Sequence, residues 1–263
     1  MMTSVSSLIK YEFPLVERIR VFMRLERLFK RFFQACSEVS EISHHSALLT
    51  LFEILEINAR SDIKSDILQE LDRQRQFFQQ LGARSDLAEV VENSVLESAL
   101  AHIEEAYSNL LQTDGKLGAH LRDNSFLKAL KSRASLPGSM FEFDLPVYHW
   151  WMRSNSCETR AVRLQEWGDR LLVVDQALDT ILDHIRKSVT YSDCFANTGQ
   201  FSTALAGRQY QILTVEYDST LNVYPEISAN KFHLSLRFLE LLGTGETVQS
   251  ERTVTFKMGL CNL

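Results

Sequence analysis

Glycine and proline are scarce: 10 and 4 in 263 residues, against usual shares of about 7% and 5%. So few breakers exclude a loop-rich or collagen-like chain and leave long uninterrupted elements, with helices prevailing. The four cysteines, Cys36, Cys157, Cys194 and Cys261, form no CxxC and no close pair. That excludes a disulfide framework and a zinc motif and makes a reducing cytoplasm the expected home. No run of about 18 apolar residues exists, and the opening MMTSVSSLIKYEF lacks the apolar centre of a signal peptide. A soluble protein without membrane insertion is expected. Cations are the minority charge, 28 Lys and Arg against 34 Asp and Glu, for a net charge of −6. A general nucleic-acid coat is thereby disfavoured, although a local basic patch is not. GxSxG, P-loop and GxGxxG motifs are missing too, so the sequence supplies no argument for an enzyme, a cofactor or a metal.

What is present reads as α+β, a mainly helical domain followed by a domain with antiparallel strands and packed helices. Ser7 to Phe13 suits a strand, and Pro14 suits the first turn of a helix running to about Val39. Along that helix Leu15, Phe22, Leu25, Phe29, Phe32 and Phe33 recur at 3.6-residue spacing. Ser43 caps a second helix over 44–58, and Asp62 a third ending at Gly82. Asp86 with Glu89 resembles a capping pair for a fourth helix that reaches Gln112 and forms a hairpin with the third. A fifth spans 121–134, before the Leu136-Pro137-Gly138 turn. Beyond it, Met140 to Phe143 suits a short strand, Pro146 opens a helix with Tyr148, Trp150 and Trp151, and more helix covers 158–188.

Past Tyr191 the period becomes two. Phe232, Leu234, Leu236 and Phe238 alternate with His233, Ser235 and Arg237, and Val254, Phe256 and Met258 with Thr255 and Lys257. Segments 210–217 and 222–227 complete the hairpins, with Gly243-Thr244-Gly245 as a loop. The division expected is a helical domain over 14–135 and an α+β domain from 1–13 and 136–263, the first strand joining the later sheet.

Charge is organised rather than scattered. Arg20, Arg24, Arg27 and Arg31 stand at i, i+4, i+7 and i+11, within roughly 60° of one another on a helix and over about 16 Å. Phe22, Leu25, Phe29 and Phe33 take the opposite side. Like charges four residues apart repel by a few tenths of a kcal/mol, and Glu17 is the one acid nearby on this face. Two readings stand side by side: a solvated face, or a docking strip for an anionic segment, since guanidinium binds carboxylates bidentately. A second cluster comprises Arg122, Lys128, Lys131 and Arg133 against Asp123. Residues 85–115 hold seven acids and no Lys or Arg, so acidic and basic helices pairing internally is also open. His44-His45 reads as an exposed pair, and His149, beside Tyr148 and two tryptophans, as a rim histidine able to bond a ligand. A nucleic-acid-binding protein using the same stripe is the alternative.

Several strings, in order across nearly the whole chain, resemble the ZapD family of bacterial cell-division proteins. They are Phe13-Pro14-Leu15 with Glu17-Arg18, Arg24-Leu25-Glu26, Glu70-Leu71-Asp72-Arg73-Gln74 and Ser135-Leu136-Pro137-Gly138. Phe143-Asp144-Leu145-Pro146 with His149 and Trp151, and Tyr224-Pro225-Glu226-Ile227-Ser228, continue the series. The resemblance implies a helical domain joined to a strand-containing one, a homodimer and no enzymatic activity. It further implies binding of the C-terminal tail of FtsZ and bundling of its filaments at the midcell division site in the cytoplasm. Carried over by position, the family's basic pocket falls on Arg20, Arg24, Arg122 and His149, with Lys131 and Arg133 as additions; Arg27 and Arg31 complete the column. Ser125 departs from the basic residue expected there, and Met140 and Phe141 stand where some relatives carry cysteine.

Overall fold

The computed structural model describes residues 7–60, 62–83, 93–113, 117–134, 136 and 143–263. Strand β1 (Leu8–Pro14) precedes the helices α1 (Glu17–Ser37), α2 (Glu41–Arg60), α3 (Ile63–Gly82), α4 (Asn93–Leu111) and α5 (Ala119–Arg122). Then come α6 (Ser125–Ala134), α7 (Pro146–Ser154), α8 (Cys157–Asp169) and α9 (Leu172–Lys187). The strands β2 (Val189–Ala196), β3 (Gln200–Ala204), β4 (Ile212–Asp218), β5 (Tyr224–Ala229), β6 (His233–Leu241), β7 (Thr247–Gln249) and β8 (Val254–Cys261) follow. The fold is α+β, with an N-terminal helical region and a C-terminal β region. Among the described residues no helix is long and apolar enough to cross a membrane.

Local chemistry explains where elements depart from the sequence periodicity. Pro14 closes β1 instead of opening α1; an edge strand tolerates proline because one row of its N–H groups has no ladder partner. The segment expected as one helix over 121–134 is two: Asn124 Oδ1 accepts the N–H of Leu127 at 3.1 Å and starts α6 afresh. A similar break at Arg170 and Leu171 separates α8 from α9. Asp62 caps α3 by accepting the N–H of Ser65. Gly82, however, is still helical, and Ala83 after it is right-handed. The Asp86/Glu89 pair, Pro137-Gly138 and Met140 to Glu142 lie outside the described residues.

The chain divides into two compact units, one holding the chain through Val21 together with Leu182–Leu263, the other Phe22–Ile181. In the helical unit Phe22, Leu25, Phe29 and Phe32 of α1 are buried with Leu48, Leu51 and Ile54 of α2 and Ile67 and Leu71 of α3. Gly168 lets α8 approach α1, for a Cβ there would lie 2.5 Å from the Phe32 ring. Phe126, Trp151 and Trp167 stack at centroid distances of 5.4 to 6.1 Å and tie α6 to α7 and α8. Lys64 donates to the Leu111 carbonyl and Arg75 to Glu104, so α3 and α4 form the expected antiparallel hairpin.

One carboxylate in this unit is ill at ease. Asp175 Oδ1 on α9 is buried and has no hydrogen-bond partner among the described residues. Burial, Asp179 and Glu26 raise its pKa to about 6, against the opposing pull of Lys30. A folded pKa above the unfolded value means this group's stabilisation is complete below about pH 4 and is lost as pH rises to about 6. Asp175→Asn should therefore stabilise the protein at pH 7.5 by about 1–2 kcal/mol, after discounting for partial exposure, raising Tm by about 2–8 °C. A thermal melt with Tm unchanged or lowered contradicts this assignment.

The other unit is two sheets packed face to face, ordered β1-β4-β8-β2 and β3-β6-β5, with β7 also on β6. β1 joins β4 antiparallel, Leu8 opposite Asp218, as expected of the first strand. Leu213, Val215 and Tyr217 from β4, Leu234, Leu236 and Phe238 from β6, and Val254, Phe256 and Met258 from β8 fill the space between the sheets. The connection between β2 and β3, which crosses from one sheet to the other and was not located from periodicity, turns at Thr198 and Gly199, both with positive φ. A Cβ on Gly199 would lie 2.5 Å from the Ser250 carbonyl, so the position excludes other residues.

Candidate partner-binding surface

The outward face of α1 follows from its inward one. Phenylalanines and leucines at helical spacing bury one side, which leaves Arg24, Arg27 and Arg31 exposed on the other and Arg20 part-buried. The four guanidinium groups do not share one environment. Arg20 donates to Glu17 at 3.2 Å and to the Pro14 carbonyl at 3.1 Å, and lies 5.1 Å from the centroid of the Phe13 ring. Arg31 donates to Thr50 Oγ1 at 2.9 Å and to Glu53 at 2.7 Å. The ends of the column are thus neutralised by carboxylates of the same chain.

Its centre is different. Arg24 and Arg27 are exposed and, among the described residues, their side chains make no hydrogen bond or ion pair.

The second basic cluster divides the same way. Lys131 of α6 pairs with Glu56 at 3.4 Å. Glu53 and Glu56 stand three residues apart on α2, on one face, so Arg31 and Lys131 are brought together there. Both pairs are half-exposed and contribute about 0–1 kcal/mol each; their effect is to hold two cations in place. Arg122 and Lys128 are exposed and their side chains lack hydrogen-bond or ion-pair partners among the described residues. Arg133 is exposed and His149 half-buried, the latter beside the exposed Trp150. Four uncompensated cations of the helical unit therefore emerge from the sequence-derived set: Arg24, Arg27, Arg122 and Lys128. Arg20 belongs to the sheet unit, the other site residues to the helical one. Part of the acidic stretch is matched internally, Glu104 by Arg75 at 3.4 Å; Asp86, Glu89, Glu92 and Asp114 lie outside the described residues.

The expectation of an exposed histidine pair is corrected. His44 is fully buried and its Nδ1 accepts from Arg160 Nε at 3.3 Å, while His45 Nδ1 bonds the Tyr148 hydroxyl at 2.7 Å. Burial, and for His44 also the Arg160 charge, lowers both imidazole pKa values, so both rings are neutral at pH 7. Arg160 itself, 2% exposed, also donates to the Asn155 carbonyl at 2.6 Å and approaches Cys157 Sγ at 3.0 Å. Its role was not recognised from sequence. The signal existed in its spacing: Arg160, Leu164, Trp167 and Leu171 fall on one helical face at i, i+4, i+7 and i+11. Among the described residues no group of three His, Cys, Asp or Glu side chains is placed to hold a metal ion.

Comparison with known proteins gives consistent matches. The family model described as ZapD, cell division protein, matches residues 23–237. A cell division protein ZapD of Dechloromonas aromatica is 39% identical over 257 residues, 97% of this chain and all of that protein. Those of an Azoarcus species and of Chromobacterium violaceum are 37% and 38% identical, each over 97% of this chain and 100% and 99% of their own lengths.

Proposed function

The chain belongs to the ZapD family of cell division proteins, and on that premise we propose that it is a non-enzymatic division factor binding the C-terminal tail of FtsZ. As a homodimer it would cross-link FtsZ filaments and promote their assembly into a ring at midcell. The observation that carries this reading is the set of exposed cations without internal partners, Arg24, Arg27, Arg122 and Lys128. Internal ion pairing, the competing explanation of a basic face, accounts for Arg20, Arg31 and Lys131 and not for these. An anionic peptide supplies the missing carboxylates, and guanidinium takes them two oxygens at a time.

A flexible tail loses conformational freedom on docking, so a single contact is modest, on the order of micromolar or about −8 kcal/mol. Paired sites on a dimer facing many tails on each filament raise avidity by about 10²–10⁴ without new contacts. Weak docking and firm bundling are thus compatible. The test is co-sedimentation with full-length FtsZ and with FtsZ lacking its C-terminal tail. The protein should pellet with the first and stay in the supernatant with the second, whereas equal pelleting contradicts tail recognition. Duplex DNA in a gel shift under the same buffer separates the reading from plain polyanion binding.

A further inference from the structure

Within the helical unit the basic strip ends at two acids of α2, Glu53 and Glu56. Arg31 donates through Nε to Thr50 Oγ1 at 2.9 Å. That hydroxyl belongs to a residue only 1% exposed and itself donates to the Ser46 carbonyl at 2.8 Å. A neutral group fixed by α2 therefore already anchors the guanidinium. Glu53 holds it a second time, at 2.7 Å from Nη2, with both side chains half-exposed. Lys131 and Glu56, 3.4 Å apart, are half-exposed likewise. Pairs of this kind add little to stability, so what the two acids change most is the local charge. Arg27, whose side chain is bare, stands one turn of α1 or about 6 Å before Arg31. A ligand charge seated on Arg27 is thus only partly screened from Glu53.

We propose that Glu53 and Glu56 are specificity-determining residues that shorten the strip, leaving it open to a peptide with a few carboxylates and closing it to nucleic acid. This rests on the anionic-peptide reading of the preceding section and adds what keeps competing polyanions away. The two ligand classes meet the same acids differently. A DNA duplex carries one charge per about 1.7 Å of its axis, so its affinity grows with every cation it can add and falls with every carboxylate it must pass. Arg24 and Arg27, continued by Arg31 and Lys131, would offer such a run; with Glu53 and Glu56 in place its second half is neutral. A peptide whose acids are separated by neutral residues can seat them on Arg24 and Arg27 and leave the closed end untouched. A repulsive charge set against the wrong partner then costs the right one little. The net charge of −6 disfavours a duplex at long range, whereas a local run of cations needs a local remedy.

The test combines Glu53→Gln with Glu56→Gln, which removes both charges at nearly constant shape while Thr50 keeps its hold on Arg31. Followed by fluorescence anisotropy, a labelled DNA duplex should bind this double variant at least about tenfold more tightly than wild type. Its plot of log association constant against log salt should steepen by about 2, each added phosphate contact contributing about 0.9. A labelled FtsZ tail peptide should gain less than about threefold, so the preference for peptide over duplex falls. The comparison for net charge is Asp183→Asn with Glu226→Gln in the sheet unit, which frees Lys187 and Arg237 from their acids. It should leave duplex affinity within about threefold of wild type. A duplex that binds the Glu53/Glu56 variant no tighter than wild type, an equal gain from the sheet-unit variant, or equal gains for duplex and peptide overturns the proposal. A wild type that binds no tail peptide, with the duplex behaving as expected, contradicts the preceding section and supports the guard against polyanions, since the duplex measurement needs no FtsZ.

Discussion

On the proposed reading, reversing Arg24 and Arg27 together to glutamate should abolish FtsZ bundling while leaving the melting temperature of the protein within a few degrees of wild type. Neither guanidinium has an internal partner among the described residues, so no contact of the fold is lost. A glutamate at position 27 stands four residues before Arg31, a favourable helical pair, and one at position 24 stands four residues after Arg20. For a docked carboxylate the change replaces two charge-assisted contacts, each about 1.5–3 kcal/mol, by repulsion. That lowers single-site affinity by about 10²-fold or more. Avidity multiplies whatever each site retains, so pelleted filament bundles should disappear. Arg31→Ala is the internal comparison: Arg31 is already committed to Glu53 and Thr50, and its removal should change bundling by less than about threefold. Bundling that survives the double reversal removes the arginine column from the binding surface.

Arg160→Ala should be the most destabilising single change in the helical unit, by about 3–5 kcal/mol, with a fall in Tm of about 10 °C or more. Arg160 is fully buried and touches three elements. It donates to carbonyls at the end of α7 and to His44 of α2 from its place on α8. Those carbonyls carry the negative end of the α7 dipole, where a cation is favourable. Deleting the side chain leaves a cavity and unsatisfied acceptors together. Arg160→Met refills most of the volume and should recover part of the loss but not all of it. Glu41, the nearest carboxylate at 3.9 Å, is half-exposed, so Arg160 is not one half of a buried ion pair that apolar residues can replace without loss. Melting within about 1 kcal/mol of wild type for both variants contradicts this role.

How much was legible in advance follows the range of each interaction. The arginine column and its apolar reverse are local periodicities, and both stand where spacing puts them. So do the α3–α4 hairpin, the Asp62 cap, the Pro146 start and the alternating β6 and β8. Two partners of the basic clusters were hidden because Glu53 meets Arg31 of the column, and Glu56 meets Lys131 of α6, across helices, where spacing along one helix carries no information. His44 looked polar beside His45 and Glu41, and only packing against Arg160 reveals it as interior. β2 escaped notice for another reason. It is an edge strand, and Thr190 to Asp193 are exposed along it, which erases the alternation that marks β6.

Anionic peptide should bind the bare middle of the α1 column. Titrating a labelled FtsZ tail peptide into the protein, followed by fluorescence anisotropy at two salt concentrations, measures it directly. Binding should be on the order of micromolar, weakened by added salt, kept by Arg31→Ala and lost in the Arg24→Glu, Arg27→Glu protein. An isotherm for that double variant superimposable on wild type contradicts it.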